Sequence, residues 1–135
     1  MRIAVLVGAV VTLSVAAGCQ STGRPQPVSG YAQIEQSVDK PVTLTGMLKG
    51  SPVGPIVVGD DFVAYTLAGR AFQPDLVNQE VQISGIVVKN PRPYLNGISL
   101  PYILTQVRWT DAQTEQPLPE RLYLQRRGAR SLYVD

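Results

Sequence analysis

The sequence predicts an all-β protein whose body is a small five-stranded Greek-key barrel, preceded by a signal and a tether and followed by a C-terminal extension. Two long segments alternate apolar and polar residues with the period of two that marks a strand buried on one face. Each of these segments carries a glycine in the middle of its apolar face, which is typical of a sharp bend or a bulge. Short β-rich runs separated by turn residues account for the other strands.

An export signal occupies the first part of the chain and ends at Cys19, the only cysteine. Arg2 supplies one positive charge, residues 3–15 are mostly apolar, and small residues fill positions 16–18. This run is too short to span a bilayer, which takes about 20 apolar residues. Small residues before a cut and a thiol directly after it are what lipoprotein processing requires. We therefore expect residues 1–18 to be a signal peptide and Cys19 to be lipidated; an ordinary secretory cut that leaves a free thiol is the alternative.

Ala16-Ala17-Gly18-Cys19 resembles the lipobox of bacterial lipoproteins, in which Leu is usual at the position of Ala16. The resemblance implies a cell-envelope protein that faces the periplasm and is anchored by acyl chains such as palmitate on Cys19. Each buried methylene of such a chain contributes about 0.8 kcal/mol, so no membrane-spanning helix is needed. Gln20 follows the cysteine where Asp would favour the inner membrane, and this implies the outer membrane of a Gram-negative host.

The segment after the cysteine is predicted to be a linker. Residues 20–29 are rich in Pro, Gly and small polar residues and lack apolar periodicity. Such a composition cannot bury enough surface to become ordered, so a flexible lipidated tether is predicted over residues 19–30. The next apolar residues share one helical stripe: Tyr31, Ile34 and Val38. A short helix that ends before the following proline is one interpretation, and a lead-in strand is the other.

The barrel domain is predicted over residues 31–110, and its first strand begins at residue 41. The buried face of that strand combines apolar residues with a glycine, namely Val42, Leu44, Gly46 and Leu48. Residues 55–58 and 61–67 are two β-rich runs separated by Gly-Asp, which predicts a hairpin. Residues 68–78 lose the alternation and predict a loop with at most one helical turn.

The second half of the domain supplies the remaining predicted strands. Residues 80–88 alternate again, and their buried face contains Val81, Ile83, Gly85 and Val87. A polar loop over residues 89–97 contains two prolines and an Asn-Gly pair. Residues 98–110 form the last strand, in which a proline makes the first part an edge or a bulge. The C-terminal extension, residues 111–135, predicts either a hairpin that turns at Gly128 or a frayed helix that ends there.

Two of these segments resemble strands of a known fold. VTLTGMLKG, residues 42–50, and NQEVQISGIVV, residues 78–88, resemble the first and fourth strands of OB-fold proteins, particularly small bacterial envelope ones. The resemblance covers residues 38–110 and implies an OB-like barrel. The anchor, the barrel and the closing PYILTQVRWT, residues 101–110, are also similar in outline to outer-membrane lipoproteins of the Slp type.

The sequence contains no histidine, which excludes the usual general base, the most frequent nitrogen ligand of metals and every Ser-His or Cys-His pair. Asp60 and Asp61 are the only adjacent acidic pair. Neighbouring side chains on a strand point to opposite faces and do not converge on one substrate atom. Met47 and Trp109 are too few for a soft-metal site. We therefore expect neither an enzyme nor a bound cofactor or metal.

OB-fold proteins bind ligands on the face of their second and third strands and on the flanking loops. The resemblance places six candidate ligand-binding residues there: Lys49, Phe62, Tyr65, Lys89, Arg92 and Tyr94. Aromatic and basic groups together stack on bases or sugars and bind phosphates or carboxylates. The alternative is that Phe62 and Tyr65 fill the barrel and that Tyr94 packs on its own loop.

A second basic group lies in the extension and consists of Arg121, Arg126, Arg127 and Arg130. Such a cluster contacts anionic lipid, a polyanionic glycan or an acidic protein, or else forms a solvated turn. The expected function is therefore a non-catalytic binding or assembly module for another envelope protein or polymer, held at the membrane through Cys19. The alternative is a single-stranded nucleic-acid-binding protein. Export argues against it, and so does the net charge of +2, which falls to about zero once the signal is removed.

Overall fold

The computed structural model describes residues 24–67, 77–109 and 121–133, and the fold is all-β. Six antiparallel strands close into a barrel, and one further strand extends the sheet. A separate two-stranded hairpin completes the strands of the described residues. The predicted signal peptide, Cys19 and most of the predicted loop before the second alternating strand lie outside the described residues.

The elements of the described chain are β1 (Gln26–Val28), α1 (Tyr31–Gln36), β2 (Pro41–Ser51), β3 (Gly54–Val58), β4 (Phe62–Tyr65), β5 (Glu80–Lys89), β6 (Tyr94–Leu95), β7 (Ile98–Ser99), β8 (Tyr102–Trp109) and β9 (Arg121–Arg126). Around the barrel the strand order is β2, β3, β4, β9, β8, β5 and back to β2. After three strands in sequence, β5 returns to lie beside β2, which is a Greek-key connection. The predicted Greek-key barrel is confirmed.

The barrel has six strands rather than the predicted five, because the C-terminal extension contributes β9. This strand pairs antiparallel with β4 on one side and with β8 on the other, and it buries Leu122 and Leu124 in the barrel. Without it, β4 and β8 would expose unpaired edges. Both predictions for the extension are wrong. A strand and not a helix precedes Gly128, and although Gly128 turns the chain with a φ of +94°, residues 129–133 form no strand.

The first described residues belong to the sheet, although their composition predicts a flexible tether. β1 pairs in parallel with β2, and Val28 is only 6% exposed. The tether prediction therefore fails from Gln26 onward, because one buried valine and an open strand edge order a segment whose average composition is polar. The helical interpretation of the next segment is confirmed, since α1 buries Tyr31 and Ile34 against the barrel.

Gly46 and Gly85 lie on the inner face of β2 and β5, where the backbone of a neighbouring strand comes close. A Cβ atom on Gly46 would lie 2.7 Å from the carbonyl oxygen of Val58, and one on Gly85 would lie 2.6 Å from that of Thr105. The pairing of β5 with β8 also shifts register across Gly85, which is a β-bulge. The predicted bulge is confirmed at Gly85, while Gly46 is required by the close approach of β3.

Two apolar cores lie on opposite sides of the barrel wall. The interior core includes side chains from all six barrel strands, among them Leu44, Val57, Phe62, Ala64, Ile83, Leu104 and Leu124. The outer core lies on the other face of β3 and β4 and contains Ile56, Val58, Val63, Tyr65, Ile98 and Leu100. Two of its side chains come from the segment around the β6–β7 hairpin, which therefore packs on the outside of the barrel.

Candidate binding site

The structure buries two of the six predicted ligand-binding residues. Phe62 is 1% exposed in the interior core, and Tyr65 is fully buried in the outer core. The Tyr65 hydroxyl donates to Oε1 of Gln125 at 2.8 Å and shares a 2.6 Å hydrogen bond with Oγ of Ser131. Both predictions are wrong. The Phe62 ring lies inside the barrel, and the outer face of β3 and β4 that carries Tyr65 is covered by Ile98 and the C-terminal segment.

The other four predicted residues are exposed, but they do not form one site. Lys49 lines a depression on the outer face of β2. Arg92 and Tyr94 line a separate groove beside the β6–β7 hairpin. Lys89, at the end of β5, lines neither of these surfaces. Of the predicted set, the structure therefore brings together only Arg92 and Tyr94.

The β6–β7 hairpin has a fixed conformation and a fixed base. Asn96 and Gly97 form its turn with φ values of +53° and +79°, and two positive φ values are what a type I′ turn requires. At the base, Nδ2 of Asn90 donates to the carbonyl oxygen of Leu100 at 2.8 Å, and Oδ1 of Asn90 accepts from the backbone N–H of Arg92 at 3.1 Å. The hairpin is therefore ordered before any ligand arrives.

The hairpin groove lies between this hairpin and the outer face of β8 and β9 and has a volume of about 320 Å³. It is lined by Leu67, Asn90, Pro91, Arg92, Tyr94, Leu95, Leu100, Ile103, Arg121 and Tyr123. Tyr94 is 71% exposed and Leu95 is 38% exposed. Leu100 and Ile103 are buried beneath them, so the groove has an apolar floor and an exposed aromatic wall.

Two arginines supply the charge of the hairpin groove, and none of the described residues that line it is acidic. Arg92 and Arg121 are both exposed. Within the part of the chain that the structure describes, no hydrogen bond or ion pair occupies either guanidinium. An unoccupied guanidinium presents a rigid fork of donors that matches a carboxylate in a bidentate geometry. The groove therefore favours ligands that combine negative charge with an apolar group.

The depression on β2 differs in its charge. It has a volume of about 560 Å³, and its charged lining residues are Lys49, Asp60, Glu80 and Arg127. Nη1 of Arg127 already donates to the carbonyl oxygen of Gly59 at 3.1 Å. Positive and negative groups balance here, so the β2 depression favours neither sign of ligand charge. Arg121 and Arg127 also line different surfaces, and the basic cluster of the extension does not form one patch.

The two adjacent aspartates lie in different surroundings. Oδ1 of Asp61 accepts from the backbone N–H of Tyr31 at 2.7 Å, while Asp60 is exposed beside the β2 depression. Among the described residues, no three His, Cys, Asp or Glu side chains are close enough together to hold a metal ion. The single helix of the described residues, α1, is too short to cross a bilayer.

Eight of the ten described residues that line the hairpin groove were not among the six ligand-binding candidates, and they include Leu95, Arg121 and Tyr123. Arg121 was expected only as part of the basic cluster of the extension. The alternation of Leu122 and Leu124 contains the signal that could have located Arg121 and Tyr123. If residues 121–126 are taken as a barrel strand, Arg121 and Tyr123 must lie on its outer face. Interpreting the extension as a separate hairpin removed that constraint.

Comparisons of the chain with protein-family models, with curated proteins and with solved structures found no match. The hairpin groove and the β2 depression are accordingly assessed by their own chemistry. Of the two, the hairpin groove combines an exposed aromatic ring, an apolar floor and, in the part of the chain that the structure describes, charge of one sign.

Proposed function

We propose that this protein is a non-catalytic binding module of the bacterial cell envelope, held at the outer membrane by a lipid on Cys19, which binds another envelope protein through the hairpin groove. One observation carries the proposal: Tyr94 is exposed on a rigid hairpin beside an apolar groove that holds Arg92 and Arg121. Tyr and Arg are among the residues that contribute most to binding energy at protein interfaces.

The order of the hairpin supports a role in binding. Binding costs less conformational entropy when the contacting residues are already held in place. Ile98 and Leu100 anchor the hairpin segment in the outer core, and Nε2 of Gln125 donates to the carbonyl oxygen of Ser99 at 3.2 Å. Tyr94 is therefore presented to a partner from a fixed platform.

Single-stranded nucleic acid fits the described surface less well. An OB-fold binds a single-stranded nucleic acid across the face of its second and third β-strands. The corresponding face of β3 and β4 is buried in the outer core. Sequence-tolerant binding of single strands also uses several aromatic rings on which successive bases stack. Tyr94 is the one strongly exposed ring among the described residues. A protein partner is therefore the better proposal.

The anchor is tested by replacing the predicted lipid acceptor. Cys19→Ser is expected to leave the signal peptide uncleaved and to prevent incorporation of labelled palmitate, because the thiol is the acylated group. Intact-mass measurement of the purified product reads both effects, and Ser21→Ala is the matched control. A Cys19→Ser product that is still cut and acylated would contradict the anchor.

The binding role is tested by placing a photo-crosslinking amino acid at position 94 in intact cells. We expect a crosslinked adduct with a defined envelope protein, identified by mass spectrometry. The same probe at Ala32, which is exposed on α1, is the control and is expected to give no such adduct. Absence of a protein adduct at position 94, or the same adduct from both positions, would overturn the proposed function.

A further inference from the structure

We infer that the segment of the partner that enters the hairpin groove is an acidic peptide with a large apolar side chain: the apolar side chain contacts the floor, and carboxylates pair with Arg92 and Arg121. This inference rests on the proposed function and specifies the chemistry of its ligand. It is carried by the shape of the groove, by its apolar floor and by the charge of its two arginines.

The floor of the groove selects an apolar group. Leu100 and Ile103 are 1% and 5% exposed, and Leu67 completes the apolar surface. The volume of about 320 Å³ is at the small end of the range for ligand pockets, so it accepts one or two side chains rather than a folded domain. Tyr94 stands beside this floor and can cover an inserted aromatic or aliphatic side chain.

Arg92 and Arg121 determine which ligand charge the groove favours. They lie on different elements, since Arg92 precedes β6 and Arg121 begins β9, and both line the groove. Among residues 24–67, 77–109 and 121–133, no aspartate or glutamate lines the groove to neutralise them. An arginine pairs with a carboxylate through two parallel hydrogen bonds. A peptide that has acidic residues on both sides of its apolar residue can therefore pair with both Arg92 and Arg121.

A peptide fits this groove better than a membrane or a nucleic acid. Binding to anionic lipid uses clusters of about four to eight basic residues, and two basic residues line the groove in the described part of the chain. Nucleic acid requires a basic channel that follows the phosphate backbone, whereas Arg121 lines the groove and Arg127 lines the separate β2 depression. Binding to anionic lipid and binding to nucleic acid are tested as contrary outcomes in the peptide-selection experiment.

The experiment is a selection from a library of random peptides of about 12 residues, displayed on phage, against the immobilised full-length lipoprotein in detergent. We expect enriched peptides that combine Asp or Glu with Trp, Phe or Leu. Their affinity is expected to fall about tenfold or more with Arg92→Glu and with Arg121→Glu, because each reversal places like charges together. Arg108→Glu, at an exposed position on β8 outside the groove, is the matched control and is expected to retain binding.

A second arm reverses the charges. Peptides in which Lys replaces each acidic residue are expected to lose binding to the native protein and to regain it with the Arg92→Glu, Arg121→Glu double variant. Circular dichroism of every variant reports whether the barrel is intact, and the regained binding could not come from an unfolded protein. The inference is overturned if no peptide is enriched, or if the enriched peptides bind all variants equally.

It is also overturned if vesicles with about 30% anionic phospholipid, or a thymidine oligonucleotide, bind in place of peptides and depend on the same arginines. A protein adduct at position 94 together with non-acidic selected peptides would refute this inference alone. Absence of any adduct at position 94 would refute the proposed function itself.

Discussion

Tyr31 is a residue at which the fold disfavours ionisation. Its side chain is 5% exposed and its ring meets that of Tyr102 edge to face, with centroids 6.0 Å apart. Burial, and secondarily the negative charge of Glu35, raise the pKa of the Tyr31 phenol well above its ordinary value of 10.0. The neutral phenol is therefore strongly preferred in the folded protein.

This shift predicts a loss of stability at alkaline pH. Below pH 10 the phenol is neutral in both states, and its contribution to the free energy of unfolding is fully present. Above pH 10 the unfolded state loses the proton and the folded state does not, so stability falls as pH rises toward the higher folded pKa. Tyr31→Phe is expected to make that fall shallower in urea unfolding measured between pH 8 and 11. Tyr94→Phe is the control, and equal slopes for Tyr31→Phe and the native protein would contradict the prediction.

Gly85 is a residue whose missing side chain is a structural requirement. A Cβ atom there would lie 2.6 Å from the carbonyl oxygen of Thr105 and 2.8 Å from Cγ of Leu104. Gly85→Ala is expected to lower the free energy of unfolding by about 1 to 3 kcal/mol, the usual cost of overpacking. Gly30→Ala is the control, because its Cβ would meet the Asp61 carboxylate at an ordinary 3.6 Å. Denaturant unfolding followed by the fluorescence of Trp109 measures both, and a neutral Gly85→Ala would refute the close approach.

At the scale of elements, β9 holds two segments on the outside of the barrel through one buried side chain. Gln125 is 2% exposed. Its Oε1 accepts from the Tyr65 hydroxyl, and its Nε2 donates to the carbonyl oxygens of Arg130 at 2.6 Å and Ser99 at 3.2 Å. The C-terminal segment and the β6–β7 hairpin are therefore both hydrogen-bonded to the side chain of Gln125.

Gln125→Leu is expected to loosen both segments together. It leaves buried groups without their partner, and each costs about 1 to 3 kcal/mol, so we expect the free energy of unfolding to fall by about 2 kcal/mol or more. Hydrogen exchange is expected to increase in residues 94–100 and 129–133. Gln36→Leu, the same change at an exposed position on α1, is the control. Faster exchange in only one of the two segments would show that the attachment is not shared.

Elements with a clear period of two were predicted from the sequence, and elements ordered by distant contacts were not. β2 and β5 each bury one face, and the Gly-Asp turn between β3 and β4 indicates their hairpin. β1 contributes one buried side chain, Val28, and its average composition is that of a linker. β1 is ordered by its pairing with β2, and the local sequence of β1 contains no pattern that predicts this pairing.

At the scale of the whole molecule, closure of the barrel depends on the C-terminal region. A chain that ends at residue 120 lacks β9, leaving the edges of β4 and β8 unpaired and the interior core uncovered. We expect this chain to lose cooperative unfolding and to aggregate, as exposed edges do.

A chain that ends at residue 128 is the matched control. It keeps β9 and loses the outer contacts of Ser131, Leu132 and Tyr133, together with the hydrogen bond from Gln125 to the carbonyl oxygen of Arg130. We expect it to fold with reduced stability and to remain monomeric. Sedimentation velocity and Trp109 fluorescence during denaturation distinguish the two chains. A monomeric, cooperatively folded product ending at residue 120 would show that five strands suffice.

The candidate site was only partly predictable for the same reason. Arg92 and Tyr94 follow from a polar loop with an Asn-Gly turn, which marks a projecting hairpin. Arg121 and Tyr123 join them because β9 inserts beside β8, so that Thr105 pairs with Arg121 and Ile103 with Tyr123. Lys49 lies on β2 and lines the β2 depression instead.

The sequence by itself determined where the alternating strands lie, where glycine is required within them and that no histidine is available for chemistry. Those properties are local, because a strand with one buried face shows that burial in the alternation of apolar and polar residues in its own sequence. The tertiary structure alone decided that β9 closes the barrel, that Tyr65 is buried and that Arg121 lines the same groove as Arg92. An outward-facing side chain is solvated or covered according to which distant segment packs on it, and the strand's own sequence does not contain that segment.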